Sequence, residues 1–186
     1  MNRKKLDRII STAAVVIAVA LLAGAGGLSY AHSFIHKQVH DQLAAEKITF
    51  PAAGSEGLLA LPAADQAKVT QYAGQQLLSG AQAKVFADNY IAVHLKKIGA
   101  GQTYSELSAA SLANPSDQKL AGQVATVFRG ETLRGLLLNA YAFDTMATVA
   151  SYAAFGALVA GLVLLLLAGL GYYHSDHVKK PARRRK

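Results

Sequence analysis

The residues whose types and spacing most plainly suggest chemistry lie in the stretch HSFIHKQVH, His32 to His40. His32, His36 and His40 recur at every fourth position, which places three imidazoles on one stripe of a helix. A histidine pair at i, i+4 can share a metal ion, so His36 and His40 are candidate ligands, with His32 or His94 as a further one. A zinc site needs a third or fourth ligand, and acids near the stripe are sparse. Asp41 lies about 100° around the helix from His40, and Glu46 is a turn further on. The reading we favour is a polar helix face just beyond an apolar run. The rival is a proton or metal sensor, because three neighbouring imidazoles repel one another once protonated near their ordinary value of ~6.5.

A second cluster lies in FRGETLRGLLLNAYAFD, Phe128 to Asp144. Glu131 and Arg134 stand at i, i+3 and can pair on a helix surface. Arg129 and Arg134 could hold a lipid phosphate or a partner's carboxylate, and the plainer alternative is an ion pair within the helix plus a solvated arginine. The uncharged run after Arg134 is too apolar for a bare stalk. Other helices, lipid or a protein partner must cover it.

Several classes of chemistry have no residues to carry them. The chain has no cysteine, which excludes disulfides, thiolate metal sites and cysteine nucleophiles. It has no nucleophile elbow, no His-Glu-x-x-His run and no Gly-rich loop placed after a strand. The glycines of AGAGG lie inside an apolar run instead. The expectation is a protein that is not an enzyme and that binds no cofactor.

Charge and hydropathy define the elements that would position these residues. The 186-residue chain has a net charge of +8, and its ends carry all of it. Residues 1–8 hold Arg3, Lys4, Lys5 and Arg8 against Asp7; residues 174–186 hold Lys179, Lys180, Arg183, Arg184, Arg185 and Lys186 against Asp176. A nucleic-acid-binding domain would concentrate its charge on the fold, so no nucleic-acid partner is expected. Here the basic residues flank two uncharged runs, as the positive-inside rule describes. Residues 9–31 and 145–173 each exceed the ~20 residues that cross a bilayer. Tyr172 and Tyr173 would form an aromatic anchor beside the basic tail. Both termini are then cytoplasmic, and residues 32–144 face outward. The first run is read as an uncleaved signal-anchor; a signal peptide cleaved after Ala31 is the alternative, because Ser29 and Ala31 are small. Small residues at Ala20 and Gly24, Ala23 and Gly27, and Ala153, Ala157 and Gly161 predict an antiparallel pair packed through Gly24 and Gly161.

The intervening region reads as helices. The first continues to about Lys47, since Ile35, Val39 and Leu43 keep helical spacing. Ile48 to Phe50 is β-prone but short, and Pro51 and the Gly54–Gly57 turn cluster break the chain. An amphipathic helical pattern runs from Pro62 to Ile98, kinked or split at Ser79-Gly80. Thr103-Tyr-Ser-Glu106 is a capping box opening a helix that Asn114-Pro115 ends. Ser116 or Asp117 caps a last helix, unbroken through residue 173 and ~85 Å long. Asp144 then falls ~43 Å of helix from Tyr173 and marks the boundary of the second span.

EKITFPA, AQAKVFADNYIAVHL and GQTYSEL, followed by an arginine-containing stretch that enters an Ala/Val/Leu span, occur in that order. In this the chain resembles a family of uncharacterised actinobacterial two-span membrane proteins, often mislabelled as aromatic ring-opening dioxygenases. The resemblance covers roughly residues 1–173. It implies the same topology and no activity or site residues. The reading is an all-α, multi-pass plasma-membrane protein with two transmembrane helices and a helical extracytoplasmic domain. Its expected role is non-enzymatic binding or scaffolding, as an accessory subunit of a cell-envelope complex. The lipid bilayer, and a protein partner or a second copy, are the expected partners.

Overall fold

The computed structural model describes residues 3–177, so the predicted basic tail from Lys179 onward lies outside the described residues. The described chain is all-helical: α1 (Arg3–Glu46), α2 (Glu56–Leu59), α3 (Ala63–Thr70), α4 (Gly80–Val85), a π-helical turn (Phe86–Ile91), α5 (Ala92–Ile98), α6 (Tyr104–Ala113) and α7 (Gln118–His177). It forms two compact units. Among the described residues, one comprises 3–33 and 148–177; the other is Phe34–Ala147.

The first unit pairs the apolar parts of α1 and α7, the two helices long and apolar enough to span a bilayer. They run antiparallel. Arg8 Nη2 donates to Asp176 Oδ1 at 2.8 Å, and Thr12 Oγ1 and the Tyr172 hydroxyl share a hydrogen bond of 2.8 Å. Further along, Gly161 meets Ala18 and Leu22. The seam consists of small residues at every seventh position: Ser11, Ala18 and Ala25 face Ala154, Gly161, Ala168 and Ser175, all buried. A strict seven-residue repeat keeps one stripe facing its partner, and small residues let the two backbones approach. The seam corrects part of the predicted packing face. Gly161 is on it, and a Cβ there would lie 2.9 Å from Leu22 Cγ. Gly24 is not: a Cβ there meets nothing within 4 Å. Steps of four precess around the helix, whereas the steps of seven through Ala18 and Ala25 do not.

In the second unit, the parts of α1 and α7 that it contains frame a core built on large side chains. Val39 and Leu43 from α1 and Leu137 from α7 pack with Phe50, Leu58, Leu61, Val69, Leu77, Phe86, Ile91 and Leu95. An aromatic ladder runs through this core. Tyr72 stacks on Phe50 (centroids 5.2 Å apart), Phe50 meets Phe86 edge-on (5.1 Å), and Phe86, Tyr90 and His94 follow at helical spacing (4.9 and 4.5 Å).

Local chemistry explains the breaks. α1 ends where Lys47 turns left-handed (φ 52°), and the Ala44 carbonyl accepts from both Lys47 N at 3.2 Å and Gln76 Nε2 at 3.0 Å. The β-prone Ile48–Phe50 segment forms one antiparallel bridge, Thr49 to Gln76, with Phe50 N donating to Gln75 O at 2.9 Å and Leu77 N to Ile48 O at 2.8 Å. That bridge corrects the helical pattern predicted to continue from Pro62 as far as Ser79-Gly80. The chain leaves α3 at Thr70 and re-enters helix only at Gly80. At Ser79-Gly80, where a kink or a split was expected, the chain is split and a helix starts: Ser79 forms a capping box with Gln82. The predicted box at Thr103 and Glu106 is present, and α6 ends at Ala113 before Asn114-Pro115. Asp117 Oδ1 accepts from Leu120 N at 2.9 Å at the start of α7, whose 60 residues run without a break.

Candidate functional site

The histidine stripe reaches a partner that its spacing does not reveal. His36 Nδ1 lies 2.6 Å from Asp144 Oδ1, joining α1 to α7. Asp144 is the buried member of the pair, its side chain 15% exposed. Its burial depends on Gly80. A Cβ at position 80 would collide with the Asp144 Cβ and stand 2.7 Å from Oδ2, so only glycine lets α4 begin against this carboxylate. Asp144 was expected as a boundary marker, and the structure adds this contact with His36.

The other imidazoles go elsewhere. His40 Nδ1 is 3.3 Å from the adjacent Asp41, whose other oxygen takes Lys37 Nζ. The Lys37 hydrogen bond, helped by His40, holds the Asp41 carboxyl below its ordinary value. His94 bonds through Nδ1 to the Tyr90 carbonyl at 2.8 Å and stacks on the Tyr90 ring. His32 falls in the paired-helix unit. Among the described residues, no three His, Asp or Glu side chains are grouped so as to hold a metal ion. His36 and Asp144 tie α1 to α7 through one polar contact.

The second predicted cluster divides. Arg134 Nη1 donates to Glu131 Oε2 at 3.3 Å, as the spacing predicts. Its Nη2 reaches further and donates to Asp88 Oδ1 at 3.1 Å. Asp88 also accepts from Lys84 Nζ at 2.7 Å, and that ammonium sits 5.2 Å from the centre of the Tyr141 ring. The Lys84 hydrogen bond, assisted by Arg134, therefore holds the Asp88 carboxyl below its ordinary value. For Arg134, partial burial pulls its affinity for the proton down, but Asp88 and Glu131 outweigh that and hold it above its ordinary value. Arg129 is exposed. It stands five residues from Arg134, about 140° around the helix, so the two guanidinium groups face different ways.

Within the helical domain, a groove of about 580 Å³ lies between α1 and α7. Its floor is Ile35, Val39, Leu43 and Leu137, the outer side of the core itself. Phe34, Leu136 and Phe143 form its walls and remain 56%, 61% and 54% exposed. Gln38, Gln42 and Glu46 edge it at every fourth position of α1, with Asn139 opposite on α7. Leu136 to Phe143 is the stretch whose apolar character demanded a cover, and the structure leaves one side of it open.

Fold and geometry together define an all-helical protein with two candidate membrane spans and a helical domain whose polar contacts include ion pairs between helices. In comparisons with known proteins, no family model, curated sequence or solved structure matches the chain.

Proposed function

We propose that this protein is a membrane-anchored, non-enzymatic binding or scaffolding module. In this reading the apolar parts of α1 and α7 cross the plasma membrane, both basic ends stay in the cytoplasm, and residues 32–144 form a helical domain outside. One observation carries it: the paired helices bury their small residues and expose their large ones. Val16, Ile17, Leu162, Leu166 and Leu170 stay exposed while Ala18, Gly161 and Ala168 fill the seam. Only 17% of the residues in each helix's most apolar stretch are buried. In water, each Å² of exposed apolar surface costs about 25 cal/mol, so a soluble helical pair would invert this arrangement. In hydrocarbon the arrangement carries no such cost. The continuity of α1 through Ala31 supports a retained anchor over a cleaved signal.

The test uses membrane fractionation and single cysteines in the naturally cysteine-free chain. The protein is expected to resist alkaline extraction and to keep its full mass. Ser55→Cys and Ser116→Cys should react with an impermeant maleimide on intact cells, and Asn2→Cys should not. Release from membranes by alkali, or labelling at position 2, overturns the reading. Co-purification in mild detergent addresses the partner, and a lone monomer counts against scaffolding.

The His36–Asp144 pair favours a second reading, a sensor that responds to protons through the His32, His36 and His40 stripe. Zinc titration separates the metal and proton forms of this reading. Loss of saturable binding in a His36→Ala/His40→Ala variant marks a metal site, and identical weak binding in both proteins rules it out.

A further inference from the structure

The first turns of α1 set two cations above an apolar depression. We propose that Lys5 and Arg8 bind the headgroup of an anionic phospholipid of the cytoplasmic leaflet, whose acyl chain lies along α1. The inference rests on the membrane reading above.

Three observations select that occupant. The first is register. Lys5 and Arg8 stand at i, i+3 and are neighbours on one helix face, which Ile9 and Val16 continue toward the span. A depression of about 560 Å³ opens there, with Arg8 at its edge. Ile9, Val16 and Ile17 line it, each more than half exposed. Thr12 also lines it, but its hydroxyl is already bonded to the Arg8 carbonyl and the Tyr172 hydroxyl, each at 2.8 Å.

The second is charge. Arg3, Lys4, Lys5 and Arg8 share this end of the paired helices with two acids, Asp7 and Asp176. Both acids are engaged away from the face. Asp7 is half-buried, its Oδ2 wholly so. Asp176 Oδ1 takes Arg8 Nη2 at 2.8 Å and lies 3.7 Å from Lys4 Nζ. The Arg8 side chain stays 55% exposed in that pair, and among the described residues Lys5 enters no ion pair. The sequence from Lys179 onward adds six more cations. A basic cluster beside a span favours anionic lipid.

The third is depth. Lys5 and Arg8 fall within one turn of Ile9, where the first uncharged run begins. A phospholipid presents its phosphate above its acyl chain, as the cations stand above Ile9 and Val16. A soluble anion would use the cations and leave the depression unused.

The full chain is purified in mild detergent with equimolar phosphatidylglycerol and phosphatidylcholine of identical acyl chains. Lipids retained after washing are quantified by mass spectrometry. Phosphatidylglycerol is expected to exceed phosphatidylcholine at least fivefold. Lys5→Gln should bring the ratio near parity, since one cation beside an anionic surface is worth roughly fivefold. The swap Lys5→Leu/Leu6→Lys keeps composition and net charge but moves the cation about 100° around the helix. It should lower the ratio as Lys5→Gln does. Lys68→Gln, an exposed position in the helical domain, should change nothing. Alkaline extraction of each variant reports whether it still resides in the membrane.

Equal retention of the two lipids by a chain that resists alkali overturns the inference and leaves the membrane reading standing. A preference that survives the swap reflects diffuse charge and overturns it too. A preference that added inorganic phosphate abolishes assigns the cations to a soluble anion in place of a lipid. A chain extracted by alkali fails the membrane reading, and the inference with it.

Discussion

The paired-helix unit and the helical domain solve the same packing problem with opposite residues. In the pair, Ser11, Ala18, Ala25, Ala154, Gly161, Ala168 and Ser175 are inside and the large aliphatic residues are outside. In the domain, Phe50, Leu58, Val69, Leu77 and Phe86 are inside and the small or polar residues mostly outside. The two units differ in which size class is buried and at what period. The seam repeats every seven residues along two long helices, whereas the domain core gathers side chains from short helices, a bridge and a π-helical turn. The contrast implies that the pair is ordered by close backbone approach and the domain by burial of large apolar area.

The largest effect should come from the domain. Phe50 is 2% exposed and touches both Tyr72 and Phe86, so Phe50→Ala removes two aromatic contacts and opens a cavity. It should cost about 3–5 kcal/mol, read by urea denaturation. A loss near 1 kcal/mol would mean that the domain is not organised around this ladder.

The pair should respond to added bulk. Gly161→Leu forces a side chain into Leu22 and should cost about 1–3 kcal/mol of helix association, read as a loss of a disulfide engineered across the seam. Gly24→Leu points into open space and should leave that disulfide intact. Equal effects at the two glycines would erase the distinction between seam and outer face. At the domain's own close approach, Gly80→Ala drives a methyl group into Asp144 and should cost a similar ~1–3 kcal/mol, lowering the thermal midpoint by several degrees. His36→Ala, which removes only the half-exposed partner, should cost less, and the reverse order would place the value of this junction in the ion pair.

What could be read from the sequence follows the same division. Elements set by neighbouring residues were legible: the long apolar helices, the stop after Glu46, the box at Thr103 and Glu106, the break at Asn114-Pro115 and the cap at Asp117. So was the Glu131–Arg134 pair, which one helical turn brings together. Contacts set by tertiary packing were not. The bridge between Thr49 and Gln76 overrides the apolar spacing after Thr70, because pairing Ile48–Phe50 with Gln75–Leu77 satisfies backbone groups that a longer helix would have bonded internally. Asp144 carries no mark of His36, and Asp88 none of Arg134. The seven-residue seam was present in the sequence as Ser11, Ala18 and Ala25, but pairs at i, i+4 mask it in an Ala/Gly-rich run.

The smallest effect tests whether the domain's interhelical contacts are ionic. Asp88 accepts from Lys84 and Arg134, and both hold its carboxyl below the ordinary value near 4. A carboxylate whose folded value is depressed stabilises the protein fully above its unfolded value. That stability is lost as pH falls through the depressed folded value. Arg134 stays charged throughout, so only Asp88 titrates in the pair. Asp88→Asn should therefore be less stable than the wild type at pH 7 by up to about 1 kcal/mol, a modest amount because the pair is a third exposed and screened. The two stability curves should draw together as pH drops from about 4 toward 2. Curves that stay parallel would mean that Asp88 acts by packing in the π-helical turn, and the domain would then resemble the small-residue seam, ordered by shape.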